Sequence, residues 1–179
     1  KPVAEQDIGN QLLAETKAYV ESSVCRRRLL LHYFGEHYGE DNCHRCDNCL
    51  HPHEYIEATK EVLKVLKVIQ AIKGKFKIDH VVNIMMGVES EEVTSHCHEQ
   101  LPEFAAGASR EPQYWYALIK QGILSGYIEK EVENYGLLKV TKAGKKFMAM
   151  PEPFYFKENN EFGDYEPEPE EGTAVLDDA

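Results

Sequence analysis

Four cysteines lie between positions 25 and 49, as Cys25 and then Cys43-x2-Cys46-x2-Cys49, and no other feature restricts the fold as tightly. Cysteines three positions apart make poor disulfide partners, but a chain that folds back on itself aims such thiolates at one centre. With no secretion leader in view, a reducing compartment is expected, which favours thiols and metal ligation over disulfides. Zinc, a borderline-soft ion, takes four thiolates in tetrahedral geometry and leaves no position open for chemistry. The reading is therefore one structural zinc ion held by Cys25, Cys43, Cys46 and Cys49. Spacing alone leaves disulfides, a mixed set using His44, His51 or His53, and an iron–sulfur cluster as alternatives, although nothing favours the cluster. The fifth cysteine, Cys97 in Ser95-His96-Cys97-His98, reads as an ordinary thiol on a polar turn.

The metal answers a problem of size. A module of some 50 residues buries little apolar surface, whereas a structural zinc site contributes roughly 10–16 kcal/mol of apparent binding free energy. The whole chain, 179 residues, has room for one or two small domains. It contains no run near the roughly 20 apolar residues of a membrane span, so it is expected to be soluble. Beginning on Lys1 without a basic-then-apolar leader, it is expected to lack a signal peptide and to be a piece of something longer.

A net charge of −11 argues against nucleic acid until it is divided along the chain. Residues 152–179 hold ten acids and one lysine, residues 1–59 ten acids and six bases, and residues 60–151 eleven acids and thirteen bases. The acidity thus belongs mainly to the end, where Glu166-Pro167-Glu168-Pro169-Glu170-Glu171 reads as a solvated, flexible linker.

Periodicity predicts a mainly α chain with a small β-hairpin, an α+β fold in two modules. Ile8, Leu12, Leu13 and Tyr19 recur at helical spacing, and a second helix is expected to carry Cys25, Leu29, Leu30, Tyr33 and Phe34 and to stop at Gly35. Arg26, Arg27 and Arg28 read as a solvated run, with a phosphate contact as the lesser reading. His51-Pro52-His53 marks the boundary. The next helix presents Val62, Leu63, Val65, Leu66, Val68, Ile69 and Ile72 as one apolar stripe. A shorter helix is expected from an Asp79 cap to Met86, stopped by Gly87, and a polar irregular stretch from 88 to 110. A third helix is expected from Glu111 to Gln121, with Trp115, Leu118 and Ile119 buried and Tyr114 and Lys120 on its other side. Residues 126–132 and 136–140 read as a hairpin, and Thr141 as the cap of a last helix over 142–150. Three helices followed by a hairpin is the winged-helix plan, a relative of helix-turn-helix folds. The expected division is a helical zinc-binding subdomain over 1–55, a winged helix over 56–150 and an acidic tail over 151–179.

Ser23-Val24-Cys25-Arg26-Arg27-Arg28-Leu29-Leu30-Leu31-His32-Tyr33-Phe34-Gly35-Glu36, with Cys43-His44-Arg45-Cys46-Asp47-Asn48-Cys49-Leu50, resembles the zinc-binding segment of RecQ-family DNA helicases. Residues 60–150 resemble that family's RQC winged helix, including Tyr114-Trp115 and the stretch from Leu137 to Gly144. The resemblance implies an accessory region of an ATP-dependent enzyme that unwinds DNA with 3′-to-5′ polarity in replication, recombination and repair. It also implies a winged helix that grips duplex near the fork and a wing that works as a wedge. DNA is the implied partner, with single-strand-binding or other repair proteins as further ones and no membrane. The implied location is the bacterial cytoplasm and nucleoid, or the nucleus of a eukaryote. ATP and Mg2+ would serve motor domains this chain lacks. No Gly-x4-Gly-Lys-Ser/Thr loop occurs, since Gly144-Lys145 precedes Lys146 and Gly74-Lys75 precedes Phe76, so the chain alone is expected not to hydrolyse ATP and no catalytic residue is assigned.

Lysines neutralise phosphates and release counterions, which gives affinity without sequence preference. The candidates are Lys73, Lys75 and Lys77 at the end of the first winged-helix helix, Arg110 before the third, Tyr114 and Lys120 on it, and Lys139 and Lys142 around the hairpin. Tyr135 at the hairpin turn is the candidate to stack on a terminal base pair. Glu129, Glu131 and Glu133 oppose phosphate there. Two other classes remain open: a winged-helix protein-interaction module, and a zinc-containing DNA-binding regulator, which would need a dimer and base-reading side chains.

Overall fold

The computed structural model describes residues 3–131 and 136–160. Tyr135, Glu133 and the segment 161–179 lie outside the described residues. Helices α1 (Val3–Glu21) and α2 (Arg26–Tyr33) are joined by a buried turn, and α3 (Asp47–Leu50) closes the first module. Cys25 sits just before α2 rather than within it, and its φ of −46° and ψ of 123° turn the chain out of helical geometry. Gly35, at φ +78°, follows the end of α2 as expected. The apolar residues of α1 and α2 are not a buried face: Leu13 is 69% and Tyr33 63% exposed. Among the described residues no layer packs over them, and the module's interior is instead Ser22, Ser23, Val24, Cys25 and Asn48.

The second module contains β1 (Ile56–Glu57), α4 (Thr59–Ala71), α5 (Ile78–Met86), α6 (Glu91–Ser95) and a 3-10 turn at His98–Gln100. It continues through α7 (Pro112–Leu124), β2 (Ile128–Glu131), β3 (Leu137–Val140), α8 (Lys142–Ala149) and β4 (Tyr155–Phe156). The predicted α4 stripe is the centre of the core, with Val62, Val65, Leu66, Val68 and Ile69 wholly buried against α5 and α7. β2 and β3 pair antiparallel with Ile128 opposite Val140, which gives the expected hairpin. Thr141 caps α8 by accepting from the Gly144 N–H at 3.0 Å. At Gly87, φ is +73° and a Cβ would fall 2.6 Å from the Ala105 Cβ, so glycine is required where α5 stops.

Several expected boundaries are corrected. α5 starts after Lys77, because Asp79 does not cap the helix but accepts from the Tyr116 hydroxyl at 2.6 Å. α7 runs on through Gly122, which is buried against Ile128, and begins at Pro112, whose fixed φ suits a first helical turn. The acidic tail does not begin at 151: β4 pairs with β1, placing Phe156 opposite Ile56, and Phe154 and Phe156 are 6% and 0% exposed. Burying two phenylalanines outweighs the solvation of the few charges between 152 and 160. Among the described residues no helix is long and apolar enough to cross a membrane.

Candidate metal centre and nucleic-acid interface

The Sγ atoms of Cys25, Cys43, Cys46 and Cys49 all lie within 4.8 Å of one another, and none is in a disulfide. Four thiolates at the usual zinc–sulfur distance of about 2.3 Å stand about 3.8 Å apart, so the set fits one tetrahedral zinc ion. Backbone N–H groups already face the sulfurs: Cys43 N to Cys49 Sγ at 3.3 Å, Cys46 N to Cys43 Sγ at 3.4 Å and Arg26 N to Cys46 Sγ at 3.5 Å. His44 at φ +57° makes the turn between the first two ligands of this loop, and His44, His51 and His53 are exposed rather than directed into the set. Cys97 is exposed and stands apart.

The electrostatics call for a cation. Backbone N–H donors from Cys46 and Arg45 pull Cys43 down to about 6, while burial and the neighbouring sulfurs push Cys49 up to about 12. Without a divalent ion the four sulfurs cannot all be ionised, and metal binding would displace the remaining protons. Arg26 is not a solvated residue. Its Nε and Nη2 grip the Asp47 carboxylate at 3.1 and 2.9 Å, and its Nη1 donates to the Val20 and Ser22 carbonyls at 3.1 and 3.2 Å. It ties the end of α1 to the ligand loop and holds Asp47 below the usual carboxylate range. Arg28 pairs with Asp41.

The lysine candidates divide into two groups. Lys73, Lys75 and Lys77 are exposed while Gly74 and Phe76 between them are buried, an in-and-out alternation like that of a strand. The Leu138 N–H donates to the Phe76 carbonyl at 3.0 Å, so this turn lies against β3 of the two-stranded hairpin. Gly74, at φ +63°, permits the approach: a Cβ there would fall 2.8 Å from the Lys139 Cγ and 3.1 Å from the Leu138 carbonyl. Lys139 therefore joins the turn's lysines, although it is ion-paired with Glu131, and exposed Lys142 follows at the start of α8. Lys145 and Lys146, passed over in the sequence except as a failed phosphate loop, are exposed on α8 as well.

The candidates on and just before α7 do not join this edge. Tyr114 is 5% exposed, packed edge-on to Trp115 and Phe156 at 5.2 and 5.0 Å, and burial pushes its phenol up to about 12. It is core, because β4 covers the face of α7 that the sequence left open to solvent. Arg110 lies over the Tyr114 ring at 4.9 Å, in a segment whose backbone bonds to the Ile84 and Met85 carbonyls, the opposite end of α5 from Lys77. Lys120 is half-buried over the Tyr116 ring at 5.9 Å, and burial lowers its pKa against the opposing pull of Glu21. Trp115 is buried as expected, its Nε1 donating to the Gly107 carbonyl at 3.1 Å.

Beneath the lysine turn lies a cluster built from His80 of the expected short helix and from Glu92, His96 and His98 of the stretch expected to be polar and irregular. His80, 2% exposed, stacks on Phe76 at 4.1 Å; its Nδ1 meets Glu92 Oε2 at 3.0 Å and its Nε2 meets His98 Nδ1 at 2.7 Å. Both ring nitrogens are engaged, and His96 stacks on His98 at 5.5 Å. Burial holds His80 below its ordinary value against the pull of Glu92, and burial with His96 does the same to His98 against Glu99 and Glu92. A histidine with a lowered folded pKa binds fewer protons folded than unfolded, so its contribution is lost as pH falls below about 6.5. His32, held low by burial and Arg28, adds the same sign. The melting temperature is expected to drop as pH is lowered from about 7.5 to 5.5, and His80→Gln to flatten part of that slope; calorimetry across the range checks it.

Comparison with known proteins gives a consistent picture. The family model described as RQC domain matches residues 52–163, and the one described as RecQ zinc-binding matches residues 1–50. An ATP-dependent DNA helicase RecQ of Pasteurella multocida is 29% identical over 136 residues, covering 75% of this chain and 21% of that protein. One of the same name from Haemophilus influenzae is 26% identical over 150 residues, covering 83% of this chain and 24% of the relative. The chain thus spans less than a quarter of the length of these curated relatives.

Proposed function

The chain belongs to the RecQ family, carrying its zinc-binding and RQC domains, and from that membership we propose that it is the duplex-gripping region of an ATP-dependent 3′-to-5′ DNA helicase. The observation that supports the reading is the Leu138–Phe76 backbone bond, which sets the turn bearing exposed Lys73, Lys75 and Lys77 against β3, where Lys139 is also exposed. Lysines on a rigid edge neutralise successive phosphates, and their affinity is sequence-independent and falls steeply with salt. The first module holds the other strand of the hairpin: Lys130 on β2 pairs with Glu15 on α1 at 3.1 Å. ATP, Mg2+ and strand separation belong to the full-length helicase, in which the hairpin acts as the wedge at the fork. This chain by itself is proposed to bind without hydrolysing ATP.

Fluorescence anisotropy with forked and duplex DNA over a salt series tests the reading. Lys75→Glu with Lys77→Glu is expected to weaken fork binding at least roughly tenfold at low salt and to lower the salt slope by about 1–2. Binding unchanged in that variant, or absent from the zinc-loaded parent at low salt, would favour a protein-interaction module instead.

A further inference from the structure

The segment after α8 crosses from the winged helix to the metal centre, and each step of the crossing is hydrogen-bonded. The Phe154 N–H donates to Thr59 Oγ1 at 2.9 Å, and the Ala58 N–H to the Phe154 carbonyl at 2.8 Å. One side chain on α7 holds Lys157 by its backbone: the Lys157 N–H donates to Gln121 Oε1 at 2.9 Å, and Gln121 Nε2 donates to the Lys157 carbonyl. Ser23 Oγ donates to the Glu158 carbonyl. Asn160 then closes the path, its N–H donating to the Glu21 carbonyl at 2.7 Å and its Nδ2 to the Ser22 carbonyl at 3.0 Å and Asn48 Oδ1 at 3.1 Å.

Asn48 is the point of contact with the metal ligands. It is 5% exposed, stands between Cys46 and Cys49, and donates through Nδ2 to the Ser22 and Val24 carbonyls at 2.7 and 2.8 Å. Those two bonds fix the backbone that enters Cys25. Its Oδ1 is the remaining group, and Asn160 supplies the donor. Remove that donor and a buried amide oxygen loses its partner, a costly state in a closed site.

We infer that Asn160 is a positioning residue that couples the four-cysteine centre to the pose of the winged helix, through Asn48 on one side and the Gln121-held strap on the other. The coupling is reciprocal in affinity: what loosens the strap weakens metal binding, read as faster release, and metal loss frees the winged helix to reorient. The inference rests on the zinc reading of the four cysteines. It goes beyond a structural role because Gln121 is not one of the four ligands and sits on α7, in the other module.

The test uses the zinc-loaded chain, with Asn160→Ala, Asn160→Asp (similar in shape, unable to donate) and Gln121→Ala beside the parent. Zinc release into an excess of a colorimetric chelator is timed, and residual dipolar couplings of α1 and α7 amides report the angle between modules. All three variants are expected to release zinc at least about fivefold faster than the parent. Each module is expected to keep its own chemical shifts while the two cease to share one alignment tensor. Release rates and a common tensor unchanged from the parent in the Gln121→Ala and Asn160→Asp proteins would overturn the coupling. A parent that purifies folded without zinc would instead overturn the reading of the cysteines, and metal content measured first separates the two failures.

Discussion

Replacing Cys46 by serine, or stripping the metal with a chelator, is expected to unfold the first module while leaving most of the second intact. The reasoning is energetic. Residues 22–25 and Asn48 are the only interior this module has among the described residues, and the apolar stripes of α1 and α2 face outward. A structural zinc supplies roughly 10–16 kcal/mol of apparent binding energy, more than such a module gains from burial. Losing one thiolate leaves three sulfurs, too few to close the four-sulfur tetrahedral shell of a structural zinc ion. Hydrogen exchange read by mass spectrometry checks this. Amides from 22 to 50 should lose protection while those of α4, α5 and α7 keep it. Uniform protection in the metal-free protein would contradict it.

The second large effect concerns a residue that composition assigns to a disordered tail. Phe156→Ala is expected to destabilise the winged helix by about 3–5 kcal/mol, the range for emptying a fully buried aromatic site. Phe156 is wholly buried, stands edge-on to Tyr114 at 5.0 Å, and forms half of the β1–β4 pair. Its neighbour Tyr155, 55% exposed, is the internal control: Tyr155→Ala should change stability little. Chemical denaturation of both variants decides between a structural β4 and a solvated linker. Equal, small effects would return the segment to the tail.

These cases show where the sequence was readable. Cys25 and the Cys43–Cys49 loop were legible because ligand spacing is a local property, and the α4 stripe because a helix buried on one side repeats its pattern at short range. Thr141 and the hairpin were legible for the same reason. The strand pair was not, since two residues at each end of the winged helix meet across nearly the whole module, and the glutamates and prolines around Phe154 and Phe156 mask their hydrophobicity. That omission explains the misplacement of Tyr114: a helix covered on one more face than its pattern implies buries a residue that periodicity places in solvent. Asp79 suits a cap on its local sequence alone, but its carboxylate is taken by Tyr116, thirty-seven positions away. His80, Glu92 and His98 carried a signal in hindsight, two histidines and a carboxylate near a buried helix start. Nothing in linear spacing says that they converge under Phe76.

The lysine edge is where the functional account stands or fails, and chemical-shift mapping of the zinc-loaded chain with forked DNA at low salt addresses it most directly. The account predicts that the largest amide perturbations fall on residues 73–77 and 137–142, with the Arg110 segment largely unmoved. Perturbations centred on α7 and Arg110, or none at concentrations where the DNA is bound, would contradict it.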